Sequence, residues 1–260
     1  SAAALVLAAS VLAPALAHGQ GPVPSPTAGC RAEARVSVPG VERQQATCLA
    51  DMTTAALAGT PYTDIADQAG RIRARLAAAG MQIDGYFPDT SHTNTEHGWN
   101  HDAQFVIRLP DNWNGGLVVT GAPGNRKQYS TDLLISDHVL AAGYAYAATD
   151  KGNTGPDFYR DGRRPGDALA EWNSRTTQLT RAARRVVHQY YGKAPRRTFM
   201  TGISNGGYLT RWQLENHPEL YDGGVDWEGI LWSKQGPQPL DSLSTAVAYA
   251  TGSATPSDMY

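Results

Sequence analysis

The chain is short of several things, and each shortage removes a class of function. It has only two cysteines in 260 residues, Cys30 and Cys48, too few for a disulfide-dense scaffold or a cysteine-based metal framework. Neither charge is in excess: the net value is −2, and charged residues make up 18% of the chain. That balance leaves no electrostatic footprint for nucleic acid. No apolar run reaches the length of about eighteen residues that a membrane-spanning helix needs. No internal repeat is visible, so solenoids and propellers are excluded.

What remains is a chain long and apolar enough, at 41% hydrophobic, to bury the core of a single α/β domain. Small neutral or mildly charged ligands are the expected partners. Neither a cofactor nor a metal is called for.

The first residues read as an export signal. Ala2 to Ala13 is a short apolar run, and Ala15-Leu16-Ala17 is an A-x-A cleavage site before His18. Residues 1–17 lack an initiator Met and any Lys or Arg, so they are expected to be a partial signal peptide on a secreted protein. Residues 18–29 contain the Pro/Gly/Ser-rich stretch "GQGPVPSPTAG", a flexible lead-in. No membrane contact is expected once the signal is cleaved. In an exported protein, an isolated cysteine pair separated by one hairpin favours a Cys30–Cys48 disulfide. Its loop would stabilise the fold by about 3 kcal/mol in the chain-entropy account.

Periodicity sets the expected elements. Ile65, Ala69, Ile72, Leu76 and Ala79 alternate spacings of four and three, which predicts a helix over Asp64–Ala79 stopped by Gly80. "MQIDGYFP", "AQFVIRLP" and "GLVVTGAP" are short β-rich runs, the last two separated by the turn Pro110–Gly115. They predict an antiparallel start to a sheet. Strands and helices then alternate: a helix over Asp132–Ala142, a strand over Tyr144–Asp150 and a helix over Asp167–Tyr191. A strand over Arg197–Ile203, a helix over Asn205–Asn216 and a strand over Gly223–Trp232 follow. This order implies an α/β fold whose sheet is mostly parallel and has helices on both faces.

Gly202-Ile203-Ser204-Asn205-Gly206 satisfies G-x-S-x-G between an apolar strand and a helix, where a nucleophilic serine sits on a sharp turn. The flanking glycines give the close backbone approach that such a turn demands, and helix N-terminal amides lie beside the hydroxyl. The plainer alternative is a serine that only caps the helix. A second feature stands upstream: the strand Leu117–Thr120 runs directly into Gly121-Ala122-Pro123-Gly124. Acyl transfer needs two backbone donors, one after the nucleophile and one from a loop following an earlier strand. Asn205 and Ala122 are the expected pair; Pro123 has no N–H, and Gly124 is the alternative loop donor. Asp150 and Lys151, at the end of another strand, are candidates to contact substrate; an Asp-Lys surface turn capped by Gly152 is the equal alternative.

These residues resemble the α/β-hydrolase superfamily, Thr120-Gly121-Ala122-Pro123 being similar to its H-G-x-P oxyanion loop. Over roughly Phe105 to Trp232, "LPDNWNGGLVVTGAPG", "AAGYAYAATDKGNTG" and "TGISNGGYLTRWQLENHPELYDGGV" resemble exported esterases. The groups they look like are the tannase/feruloyl esterases and the 3-hydroxybutyrate oligomer hydrolases. Ile203 stands where the tannase-like group usually carries cysteine. The resemblance implies a secreted serine esterase working through an acyl-enzyme on a small-molecule or oligomeric ester. A serine peptidase of the same fold and a binding protein without the triad are the alternatives.

The superfamily order, nucleophile then acid then histidine, is not completed. His217 is the one histidine after Ser204, and it lies about 18 Å along the helix at 1.5 Å per residue, too far to be the base. His92, His97 and His101 share a polar loop without a matching carboxylate cluster, and His138 and His188 sit in predicted helices. Asp226 is the fallback acid. Residues 30–260 are therefore expected to be an incomplete α/β-hydrolase domain. Its C-terminal strands, acid and histidine would lie beyond Tyr260, and its last part is open as the start of a lid.

Overall fold

The computed structural model describes residues 30, 36–54, 77–88, 99, 102–155, 167–230, 247 and 250–252. Among the described residues, seven strands form one sheet: β1 (Arg43–Leu49), β2 (Gly80–Tyr86), β3 (Gln104–Pro110), β4 (Gly116–Gly121), β5 (Ala145–Thr149), β6 (Arg197–Ile203) and β7 (Gly223–Trp227). Their spatial order is β1-β2-β3-β5-β4-β6-β7. The pairs from β1 through β3 to β5 are antiparallel, and β5, β4, β6 and β7 run parallel.

Parallel neighbours need a crossover, and each crossover here is helical. A π-helical turn (Asp132–Ser136) and α1 (Asp137–Ala141) join β4 to β5. The helix α2 (Asp167–Tyr191) joins β5 to β6, and α3 (Asn205–Asn216) joins β6 to β7. Alternate side chains of the strands feed two cores. On one face Phe105, Ile107, Val119 and Met200 pack with Trp172, Leu179, Val186 and Leu209 of α2 and α3. On the other, Val106, Val118 and Tyr146 pack with Ile135 and Leu140 beside α1. The sheet is thus covered on both faces, as expected.

Three local results differ from the expectation. Arg43–Leu49 is a strand in its own right, paired with β2 along its full length. Its sequence, RQQATCL, shows no apolar alternation because an edge strand has few side chains to bury. The helix expected over Asp64–Ala79 lies outside the described residues as far as 76. Residues 77–79 are not helical, and Gly80 opens β2 instead of closing a helix. The last strand ends at Trp227, because Glu228 at φ 52 turns the chain away. The Cys30–Cys48 disulfide is present, tying residue 30 to β1 across a Cα separation of 5.7 Å.

One buried polar cluster fixes the start of the β4–β5 crossover. Arg108, fully buried on β3, donates to Gln82 Oε1 at 2.8 Å, Ser136 Oγ at 2.7 Å and Asp132 Oδ2 at 2.7 Å. Burial works against its charge, and the Asp132 carboxylate more than offsets that, so the guanidinium stays protonated. Removing either partner would leave an uncompensated buried charge, at a cost of about 3–5 kcal/mol.

Candidate active site

Parallel pairing of β4, β5 and β6 brings their C-terminal ends to one edge of the sheet. Gly121 is opposite Thr149 on β5, and Val119 is opposite Met200 on β6. The segments that follow these strands, 122–125, 150–153 and the turn at Ser204, therefore meet. Ligands of open α/β sheets bind at this edge.

Ser204 occupies the turn from β6 into α3 with φ 58 and ψ −118. Few non-glycine residues adopt such a backbone, and holding it costs on the order of 1–3 kcal/mol. The surroundings over-determine it: Ser204 N donates to Trp227 O at 3.1 Å, and its carbonyl accepts from Tyr208 N at 3.1 Å. A Cβ on Gly202 would come within 2.5 Å of the Gly206 backbone, and one on Gly206 within 2.5 Å of Gly121 O. Only glycine fits at either position. The half-buried serine stands at the helix N-cap but makes no side-chain capping bond, so helix capping does not explain its hydroxyl.

The loop after β4 faces this turn. Gly121 packs against Leu209 of α3, and the Asn205 side chain donates to Gly124 O at 3.1 Å. The expectation that Ala122 supplies the loop amide needs correction. Its N–H donates to Thr149 O at 3.0 Å, continuing the β4–β5 ladder one residue past the strand. Pro123 has no N–H, so Gly124, the alternative donor, carries the next amide of the loop. Asn205 begins α3, where helix geometry leaves the first N–H groups without an intrahelical acceptor.

Asp150 and Lys151 come to the same edge, but from behind. Both are fully buried, so neither side chain is open at the surface in the way that substrate contact or a surface turn would require. The Asp150 carboxylate accepts from Gln104 N at 3.0 Å and Gly152 N at 2.8 Å. Burial pushes this carboxyl up, with the nearby Asp102 charge adding to it. Lys151 Nζ donates to Ala122 O at 2.8 Å, and burial pushes the ammonium down.

With this geometry, comparison with known proteins decides the family. The profile of the tannase and feruloyl esterase family matches residues 89–227, just over half of the chain. The chain belongs to the tannase and feruloyl esterase family. It is 31% identical over 146 residues to the "Probable feruloyl esterase" of Arthroderma benhamiae, covering 51% of this chain and 27% of that protein. It is 28% identical over 141 residues to the mono(2-hydroxyethyl) terephthalate hydrolase of Piscinibacter sakaiensis, covering 49% of this chain and 23% of that protein. The chain thus spans about a quarter of the length of these relatives.

Solved structures agree on the fold. Feruloyl esterase B from Aspergillus oryzae superposes with a TM-score of 0.52 at 15% identity, over 75% of this chain and 36% of that one. Tannin acyl hydrolase from Aspergillus niger gives 0.51 at 15% identity, over 84% and 38%. The tannase-family assignment holds with Ile203, not cysteine, before the serine.

For a member of this family, the described residues hold no histidine that could serve Ser204. His217 closes the far end of α3, its Nδ1 lying 3.4 Å from Glu219. His138 and His188 are exposed on α1 and α2, and His92, His97 and His101 lie outside the described residues. Asp226, the fallback acid, is committed to structure: it pairs with Arg211 and accepts from Gly229 N at 2.8 Å. Asp222 accepts from Thr198 N at 2.8 Å, which holds its carboxyl below the usual range. No group of three or more His, Cys, Asp or Glu among the described residues could hold a metal ion, and no described helix is long and apolar enough to cross a membrane.

The sequence reading missed the Asn205 side chain, which joins the serine turn to the facing loop. The signal was an amide side chain directly after a candidate nucleophile, where the motif itself accepts any residue.

Proposed function

We propose that this protein is an exported serine hydrolase that cleaves carboxylic esters through an acyl-enzyme. Ser204 Oγ attacks the ester carbonyl, and the amides of Asn205 and Gly124 receive the negative charge that develops on its oxygen. The alcohol leaves with a proton, and water then releases the acid from Ser204. In this reading the general base and its acid partner lie outside the described residues. The observation that carries the proposal is the strained backbone of Ser204, held beside the Gly124 loop with no capping bond. Such strain is kept where it presents a reacting group.

The names of the two curated relatives, a feruloyl esterase and a mono(2-hydroxyethyl) terephthalate hydrolase, both describe cleavage of a carboxylic ester. They support a small-molecule ester as the substrate class. The Cys30–Cys48 disulfide and the signal-like residues 1–17 support export, and residues 30–260 are read as an incomplete α/β-hydrolase domain. The test uses the full-length natural polypeptide. It is expected to hydrolyse a p-nitrophenyl ester and to be labelled by a fluorophosphonate, and Ser204→Ala is expected to abolish both. Unchanged turnover in the variant would rule the proposal out.

A further inference from the structure

Among the described residues outside the serine turn, Lys151 is a buried charged side chain that the proposed chemistry does not use. Its residue is fully buried and sits at φ 77, a region that few residues with a Cβ adopt. Among the described residues, no carboxylate lies within ion-pair distance of its ammonium. What it has instead is the Ala122 carbonyl at 2.8 Å and the face of Trp172, 4.8 Å from the ring centroid. Burial disfavours this ammonium, and the neighbouring Asp150 charge only partly offsets that; a hydrophobic or small residue at this point would avoid the cost.

The setting is rigid. Trp172 Nε1 donates to Asn153 Oδ1, and Asn153 Nδ2 donates to Ala168 O at 3.2 Å, so the segment is pinned to the first turns of α2. A Cβ on Gly152 would come within 2.7 Å of both Glu171 and Arg175. The Lys151 stem then runs beside Gly121, its Cγ 3.6 Å from where a Cβ on that glycine would stand.

At the tip of this chain of contacts, both backbone groups of Ala122 are engaged: its N–H by Thr149 O and its carbonyl by Lys151 Nζ. Ala122 is therefore the fixed root of the loop. Pro123 follows with its own φ locked, so an orientation set at Ala122 passes to the Gly124 amide. On the far side, Asn205 holds the Gly124 carbonyl.

We propose that Lys151 is a positioning residue of the oxyanion site, holding the Ala122 carbonyl from behind so that the Gly124 amide stays aimed at the carbonyl under attack. This rests on Ser204 being the nucleophile. The two claims separate experimentally.

The full-length enzyme carrying Lys151→Met is assayed well below its unfolding temperature. The expected result is a kcat lower by about 10- to 100-fold with KM changed less than about twofold, as when an oxyanion donor is misplaced. Affinity for a trifluoromethyl ketone analogue of the substrate is expected to fall in parallel. A purely structural lysine would lower Tm but leave kcat per folded molecule and ketone affinity unchanged, and that result overturns the proposal. If Lys151→Met does not fold, Lys151→Gln is read the same way: its side chain is one bond shorter, so its amide stops short of the Ala122 carbonyl that Lys151 Nζ reaches at 2.8 Å, and kcat is again expected to fall with KM nearly unchanged. Wild-type protein that a fluorophosphonate fails to label overturns the nucleophile reading and this one together. Labelled, active wild type beside an unimpaired Lys151→Met overturns this one alone.

Discussion

The side-chain amide of Asn205 donates to the carbonyl of Gly124 at 3.1 Å, so the residue that follows Ser204 in the chain also holds the loop facing it. One residue therefore acts on both halves of the proposed oxyanion site. Its backbone N–H is one donor, and its side chain fixes the carbonyl of the residue carrying the other.

Asn205→Ala separates these roles, because it keeps the backbone donor and removes the clamp. The expected loss is about tenfold in kcat with KM nearly unchanged, since a misaligned donor costs most where charge develops. Asn205→Asp is expected to lose more, because it replaces the donor with a negative charge beside the developing oxyanion. Steady-state kinetics on a p-nitrophenyl ester measures both. A raised KM at constant kcat would place Asn205 in substrate binding instead.

Gly206→Ala tests the close approach of the elbow to the loop after β4. The new Cβ would meet Gly121 O at 2.5 Å, and neither backbone can yield without moving the other. Overpacking of this kind costs about 1–3 kcal/mol, so a lower Tm is expected. The more telling readout is the fluorophosphonate labelling rate of Ser204 in the folded variant, expected to fall well below wild type. Labelling at the wild-type rate would show that the loop position does not matter to the serine.

How much of this was legible in the sequence follows from what kind of contact each feature depends on. Strands β2 to β6, helices α2 and α3 and the serine turn announce themselves locally, through periodicity and through the glycines flanking Ser204. β1 does not, because RQQATCL at a sheet edge buries too little to impose a pattern. The engagement of the Ala122 amide was also hidden: it depends on the Gly121–Thr149 register between two strands, a relationship no single stretch encodes. The same holds for Lys151, which reads as a surface turn until Trp172 and the Ala122 carbonyl enclose it. Arg108 inside the apolar run FVIRLP was a signal left unused, since a buried guanidinium demands a carboxylate, here Asp132.

Asp84 gives a prediction about pH. Its buried carboxylate accepts from Tyr129 Oη at 2.7 Å and Gln82 Nε2 at 3.0 Å. Burial raises it above its ordinary value of 3.8, and those two bonds and the Arg108 charge only partly counter that. A carboxyl raised in the folded state contributes stability that is fully present below 3.8 and is lost as pH rises through the folded value. Below that window both states hold the proton; within it the unfolded chain releases it first; above it, ionising the buried group has its full cost. Asp84→Asn keeps the shape and removes the proton. The Tm difference, wild type minus variant, is therefore expected to be more positive at pH 4 than at pH 7.5. Asp137 and Asp150 are also raised by burial, but they are common to both proteins and cancel in the difference. Differential scanning calorimetry at the two pH values measures it, and a gap that is constant or of the opposite trend would show that Asp84 does not titrate in this way.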